Sequence, residues 1–267
     1  MDHRDVFGAL SAGSVRRRPD SDRLLDSAPM PPEILPAPAS LPPGLRLYAV
    51  GDPHGCAAQL DAIHALIAED AARAPEPERV IVYLGDYVDR GPDSRGVIER
   101  VLTPPIPATT VHLCGNHEAM MLAALDRPGD EAALALWLRN GGVATLLSYG
   151  LTGEDEPETW AARLPPRHLT FLRGLARRHR VGGYLFVHAG VRPGVPLDAQ
   201  DEEDLIWIRE PFLSSAAAHG AVVVHGHTPG RAPVIRPNRI GLDTGAVYGG
   251  RLTAAAFWAD RMALYQA

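Results

Sequence analysis

From residue 45 onward, short apolar runs alternate with stretches whose apolar residues recur every three or four positions. "LRLYAV" (45–50) is apolar on both alternating sets of positions, as expected of a strand buried on both faces. "CAAQLDAIHALIAED" (56–70) has the spacing of a helix with one apolar side. The alternation repeats: "RVIVYL" reads as a strand, "SRGVIERVL" as a helix, "TTVHL" as a strand and "EAMMLAAL" as a helix. Residues from about 126 to 180 read as helical but less regular, and "GYLFVHAG", "AVVVHG", "RIGLDT" and "LTAAAFWA" then give short strands in close succession. A βαβ beginning and a strand-rich end predict an α/β fold of stacked sheets flanked by helices, without internal repeats.

Before Leu45 this pattern is missing. The first 44 residues mix Pro, Ser, Ala and charge and end in "APMPPEILPAPASLPPG". Proline fixes φ and removes donors, so residues 1–44 are expected to form a disordered tail, with one folded domain over 45–267. A length of 267 residues with 46% hydrophobic content allows a substantial core. The net charge of -6 gives no basic surface for nucleic acid or an anionic membrane. All basic side chains are Arg, which together with abundant Ala and Pro fits codon bias in a GC-rich genome. Two cysteines, Cys56 and Cys114, are too few for a disulfide framework and are expected to be buried free thiols. No run reaches membrane-spanning length, and Arg16–Arg18 precede no apolar segment of a signal peptide, so the expected location is cytoplasmic.

The strand ends carry the chemistry. Five segments follow apolar runs with a glycine or small residue and then a metal-capable side chain. They are "GDPHGC" (Asp52, His54), "GDYVDRG" (Asp86, Asp89, Arg90), "GNHE" (Asn116, His117, Glu118), "VHAG" (His188) and "HGHTP" (His225, His227). Buried carboxylates are costly unless positive charge meets them. Carboxylate, imidazole and amide oxygen together suit Mn, Fe or Zn better than Ca. One Asp after a strand is an ordinary turn former; five such segments in series point to a metal centre.

The order GD-H-G, GD-VDRG, GNHE and two later histidines resembles the calcineurin-like metallophosphoesterases. Within them it is most similar to the serine/threonine protein phosphatases of the PPP type, including bacterial and bacteriophage lambda members. The resemblance runs from residue 47 to about 250. It implies two mixed sheets flanked by helices, with two divalent metal ions at the strand ends: manganese by expectation, iron or zinc as alternatives. By the same resemblance Asp52 and His54 hold one metal, Asp86 bridges, and Asn116, His188 and His227 hold the other. Charge logic agrees, because two nearby dications repel and a bridging carboxylate offsets that repulsion. The implied reaction is direct attack of a metal-bridging hydroxide on phosphorus, with no covalent phosphoenzyme. Arg90 then binds phosphate, His117 protonates the leaving oxygen and Asp89 orients His117. Arg209, in "DLIWIREPF", aligns with a second phosphate-binding arginine, and Tyr248 is a candidate lining of the substrate cleft. His225 is expected to pack rather than bind metal, and His64, His112, His168, His179 and His219 lack motif context.

The leading expectation is therefore a phosphomonoesterase acting on phosphoserine or phosphothreonine of a phosphorylated protein, or, with broader specificity, on a small phosphoester. A diadenosine tetraphosphatase is the alternative; its usual motifs read VARG and GNHD where this chain has "VDRG" and "GNHE". A non-catalytic scaffold of this fold typically loses ligands that are all present here. "LCGNHE" and "DTGAVYGG" depart from the LRGNHE and SAPNYC segments of the eukaryotic phosphatases, so toxin sensitivity and regulatory docking do not carry over. Residues 130–164 are the expected place for a lid.

Overall fold

Order begins before Leu45. The computed structural model describes residues 32–267, and within them β1 (Ile34–Pro36) pairs antiparallel with the last strand, β11 (Arg261–Gln266). Pro36 sits on this outermost strand, where a missing N–H is tolerated. The expectation of a structureless tail through residue 44 is thus corrected for 32–44, and its part over 1–31 lies outside the described residues.

The first sheet runs β1–β11–β10–β2–β3–β4, with β2 at Leu45–Val50, β3 at Glu78–Tyr83, β4 at Thr109–His112 and β10 at Thr253–Trp258. The second runs β5–β6–β7–β9–β8, with β5 at Arg178–Val181, β6 at Tyr184–Val187, β7 at Val222–His225, β8 at Val234–Ile235 and β9 at Arg239–Gly241. Both sheets are mixed: β2, β3 and β4 are mutually parallel, as are β6, β7 and β9, with antiparallel neighbours outside them.

Side-chain alternation builds the layers. In β2, Leu47 and Ala49 join the apolar layer between the sheets, while Tyr48 and Val50 join the layer beneath the helices. In β6, Tyr184 and Phe186 face the first sheet, while Leu185 and Val187 pack outward on Leu205, Ile208 and Phe212. This double burial explains why the strands read as unbroken apolar runs. Helix α1 (Ala57–Arg73) buries Leu60, Ile63, Ile67 and Ala71 at helical spacing, and α2 (Ser94–Val101) buries Val97, Ile98 and Val101. No helix among the described residues is long and apolar enough to cross a membrane.

After α3 (Asn116–Asp126), the segment expected to form a lid contains α4 (Glu131–Trp137), a wide π-type turn over Leu138–Gly142, α5 (Val143–Ser148) and α6 (Pro157–Arg163). Trp137, Leu138, Val143, Leu146, Leu151, Trp160 and Leu164 are all buried in the helix-side core. The segment is a packed wall rather than a flap. Then α7 (Pro166–Arg173) leads into the second sheet, whose outer side is covered partly by α8 (Glu202–Trp207).

Candidate active site

Each candidate donor stands just beyond a strand that runs parallel to its neighbour, so the side chains meet at one end of the two sheets. Asp52 comes two residues after β2, Asp86 three after β3, Asn116 opens α3 behind β4, His188 follows β6 directly, and His227 lies two beyond β7. Among the described residues six non-glycine residues have positive φ, and five belong to this set: His54 (38°), Asp86 (53°), Asp89 (73°), Arg90 (69°) and His227 (65°). Such backbone costs roughly 1 kcal/mol or more per residue and persists only where surroundings over-determine it.

Glu118 supplies much of that determination. Its buried carboxylate accepts from the backbone N–H of Gly115 (2.9 Å), Asp86 (2.9 Å), Tyr87 (2.7 Å) and Val88 (3.2 Å), tying the second and third motifs into one unit. Farther along, the N–H of Asp89 donates to Ser94 Oγ and Thr145 Oγ1, and that of Arg90 donates to the Gly141 carbonyl. Gly226 leaves space that a Cβ would take from Asp52 Oδ1. Close approach, not φ, is what demands glycine there.

The six expected metal ligands converge. Asp86 Oδ2 lies 3.2 Å from His54 Nε2 and 3.4 Å from His188 Nε2. Asn116 Oδ1 lies 3.1 Å from His188 Nε2 and 2.9 Å from His227 Nδ1, and the backbone N–H of His227 donates to Asp52 Oδ2 at 2.7 Å. Two donor triads are each compact enough for one cation: His54, Asp86 and His117, and Asp86, His188 and His227. Asp86 is common to both. The Nδ1 of His54 faces the Val88 carbonyl and that of His188 faces the Leu84 carbonyl. A carbonyl only accepts, so each Nδ1 carries a proton and each Nε2 is the nitrogen left to face a cation inward. Asp52 Oδ1 and His227 Nε2 are buried with no hydrogen-bond partner among the described residues. This donor set fits a pair of divalent cations.

Electrostatics gives the same picture. Burial first, and then Asp243, pushes the Asp52 carboxyl well above its usual range. Burial also opposes charge on Asp86, but His188, His117 and His54 together hold it well below that range. His188 is raised to about 10 despite its burial, chiefly by Asp86, whereas burial and His188 push His227 down to about 3. Carboxylates and imidazoles crowded into one dry volume are stabilised by cations placed among them.

Beside this cradle, His117 is fully buried, with Nδ1 2.7 Å from Asp89 Oδ2 and Nε2 without a hydrogen-bond partner among the described residues. Asp89 in turn accepts from Thr145 Oγ1 (2.7 Å) and Trp137 Nε1 (3.0 Å to Oδ1). Arg90 places NH1 2.6 Å from His54 Nε2 and its guanidinium carbon 5.7 Å from the centre of the Tyr248 ring. Tyr248 is 63% exposed, so it lines an opening rather than the core. Arg209 is also exposed, two residues beyond Trp207, whose ring meets His227 edge-on at 6.2 Å. His225 packs against Phe212 and hydrogen-bonds the Gly226 carbonyl, away from the cradle. Cys114 is buried, its thiol pushed up to about 12 by burial first and Glu118 next, and Cys56 is half-buried; both are free.

Sequence reasoning did not assign Glu118 a role, although it stands last in "GNHE", and it read Trp137 and Thr145 as parts of a lid. Asp243 and Trp207 also border the cluster, with no spacing signal that marks them.

Two mixed sheets with convergent oxygen and nitrogen donors at their shared end define a dinuclear metal-dependent phosphoesterase, a hydrolase. The chain belongs to the calcineurin-like phosphoesterase family, whose model matches residues 45–251. It is 31% identical over 218 residues to serine/threonine-protein phosphatase 1 of Salmonella typhimurium, covering 79% of this chain and 91% of that one. It is 28% identical over 269 residues to a symmetrical bis(5'-nucleosyl)-tetraphosphatase of Ralstonia nicotianae, covering 81% and 89%. A crystal structure bearing the provisional name of diadenosine tetraphosphatase superposes with a TM-score of 0.60 at 26% identity, over 85% of this chain and 98% of that one.

Proposed function

We propose that this hydrolase dephosphorylates phosphoserine or phosphothreonine in protein substrates, with two manganese ions as its native metals and the cytoplasm as its location. The observation that carries the choice is the 2.7 Å contact between Asp89 and His117. Chains with the tetraphosphatase pattern VARG have alanine at that place and lack this carboxylate. The Ralstonia relative keeps the tetraphosphatase reading as the alternative.

In this reading Asp52 and His54 would hold one cation and Asn116, His188 and His227 the other, with Asp86 available to both. Bound there, the pair supplies Lewis acidity and lowers the pKa of water to near neutrality, so that a nucleophile is available at physiological pH. Arg90, and Arg209 from the opposite side, place guanidinium groups on the equatorial phosphate oxygens, where negative charge accumulates as the ester bond lengthens. The phosphorus–oxygen bond to the serine or threonine breaks as water oxygen bonds to phosphorus, and the departing alkoxide needs a proton. His117 supplies it from Nε2. Asp89, accepting from Nδ1–H, stabilises the doubly protonated imidazole that carries that proton. Trp137 and Thr145 hold Asp89 in place for this task.

Turnover of p-nitrophenyl phosphate, a phosphothreonine peptide and diadenosine tetraphosphate with Mn2+ tests the reading. A higher kcat/KM on the phosphopeptide than on the dinucleotide is expected; the reverse order transfers the assignment to the tetraphosphatase. Parallel measurements with Fe2+ and Zn2+ test the metal.

A further inference from the structure

Two cavities border side chains that touch the cradle, one at Trp207 and one at Tyr248, and their charges differ in sign. The larger, about 760 Å3, lies on the His227 side and is lined by Trp207 with Asp201, Glu203, Asp204 and Glu210 against Arg192 and Arg209. Arg192 is already committed to Asp204 through a bidentate pair. The smaller, about 530 Å3, lies beyond Arg90 and is lined by Tyr248, Arg231, Arg251, Gln266, Thr244 and glycines, with no acidic side chain among them. Neither Arg231 nor Arg251 forms an ion pair among the described residues.

The basic cavity is firmly built. Tyr248 ends a single 3-10 turn held between Gly245 (φ 69°) and Gly249 (φ 85°), left-handed positions that disfavour any side chain. The turn closes on itself, since the N–H groups of Tyr248 and Gly250 both donate to the Gly245 carbonyl. Thr244 Oγ1 donates to the Arg251 carbonyl, pinning the base from which that guanidinium projects. The cavity also communicates with the reaction site, because the Tyr248 ring lies against Arg90, which reaches His54.

We propose that the cavity bounded by Tyr248, Arg231 and Arg251 is a second anion subsite, which holds a further phosphate group carried by the substrate beside the phosphoryl group that is cleaved. The proposal rests on the phosphoester reading of the cradle. Two unpaired guanidinium groups match phosphate oxygens through charge-assisted hydrogen bonds. At the Trp207 cavity, the excess of carboxylates repels the same anionic remainder, so the substrate has one electrostatically favoured orientation. The second phosphate has two possible sources: a doubly phosphorylated peptide or the polyphosphate chain of a dinucleotide.

The test uses the Mn2+-loaded protein and the double variant Arg231→Gln/Arg251→Gln, which alters two exposed side chains outside the core. On a peptide with two phosphothreonines or on diadenosine tetraphosphate, kcat/KM is expected to fall about tenfold, through KM, consistent with loss of charged hydrogen bonds. On p-nitrophenyl phosphate, which carries one phosphate, the two proteins should agree within about twofold. The substrate that responds identifies the source. An equal loss on all three substrates, or no loss on either the doubly phosphorylated peptide or the dinucleotide, overturns the subsite. Inactivity of the wild type towards p-nitrophenyl phosphate would count against the phosphatase reading instead. In that case calorimetric binding of tripolyphosphate still decides: about tenfold weaker binding by the variant supports the subsite, and equal affinity sinks it.

Discussion

The first sheet and the second contribute unlike halves to the site. From β2, β3 and β4 come Asp52, His54, Asp86, Asp89, Arg90, Asn116 and His117, most of them in loops whose backbone is held in costly conformations by Glu118, Ser94, Thr145 and Gly141. From β6 and β7 come two histidines: His188 directly continues its buried strand, and His227 sits at positive φ two residues past its own; the exposed Trp207 and Arg209 lie on the chain between these strands and Tyr248 after β9. One half is a rigid frame that fixes reacting groups. The other closes the cradle and then opens to solvent. Preorganisation is concentrated where charge must be positioned for the reaction, and exposure where partners vary.

Separating the two tasks inside the first half gives the largest effects. Asp86→Asn removes the carboxylate shared by both donor triads, and is expected to lower kcat by about 1,000-fold or more and to release metal, measured by assay and by elemental analysis. His117→Asn is expected to lower kcat by about 100- to 1,000-fold, the scale of general acid catalysis, while metal content stays close to wild type. Although His117 falls within one donor triad, it is oriented by Asp89, and Asp52 borders His54 and Asp86 to serve in its place. Equal metal loss in both variants would erase the distinction between cradle and proton donor.

Glu118→Ala tests whether the frame is as costly as its geometry implies. Four backbone donors lose their acceptor together, and each buried unsatisfied N–H costs about 1–3 kcal/mol before water enters. A loss of about 3 kcal/mol in urea-unfolding free energy is expected, beyond that of a His225→Ala variant in the second half. Comparable losses in the two would mean that the halves are equally rigid.

The strand-end donors were legible because glycine-then-ligand after an apolar run is a local pattern, and the order of five such motifs marks the family. Strands β2, β3, β6 and β7 were legible for the same reason: double burial gives them continuous apolar text, whereas the half-buried β4 was legible from its β-branched run. The supports were not. Trp137 and Thr145 reach Asp89 across 48 and 56 residues, and nothing in "WLRNGGVATLLSYG" distinguishes a wall from a flap when its partners lie in another motif. Similarly, β1 is three residues long and proline-bearing, so only the edge of β11 makes it a strand. The five-residue π-type turn at Gly141 has no sequence period of its own.

A smaller effect is expected from Trp137→Phe, which keeps the aromatic volume and deletes the N–H donated to Asp89. Thr145 still donates to the same carboxylate. Supports of this kind are worth about 10–100-fold, and with one donor remaining a fall of about tenfold in kcat is expected, with KM unchanged. A change in KM alone would place Trp137 in substrate binding and not behind the proton donor.

The smallest effect belongs to the open half. Tyr248 meets Arg90 by its ring face at 5.7 Å and is 63% exposed, and a cation–π contact in water is worth about 0.5–1 kcal/mol. Tyr248→Ala should therefore raise KM about two- to fivefold by freeing the Arg90 guanidinium, with kcat held by the frame beneath it. Tyr248→Phe keeps the ring face and should restore most of that loss, since no hydrogen bond of the hydroxyl is involved in the contact. If alanine instead lowers kcat and phenylalanine does not recover it, the tyrosine acts on the reaction itself, and the division between a reacting half and a selecting half does not hold at this residue.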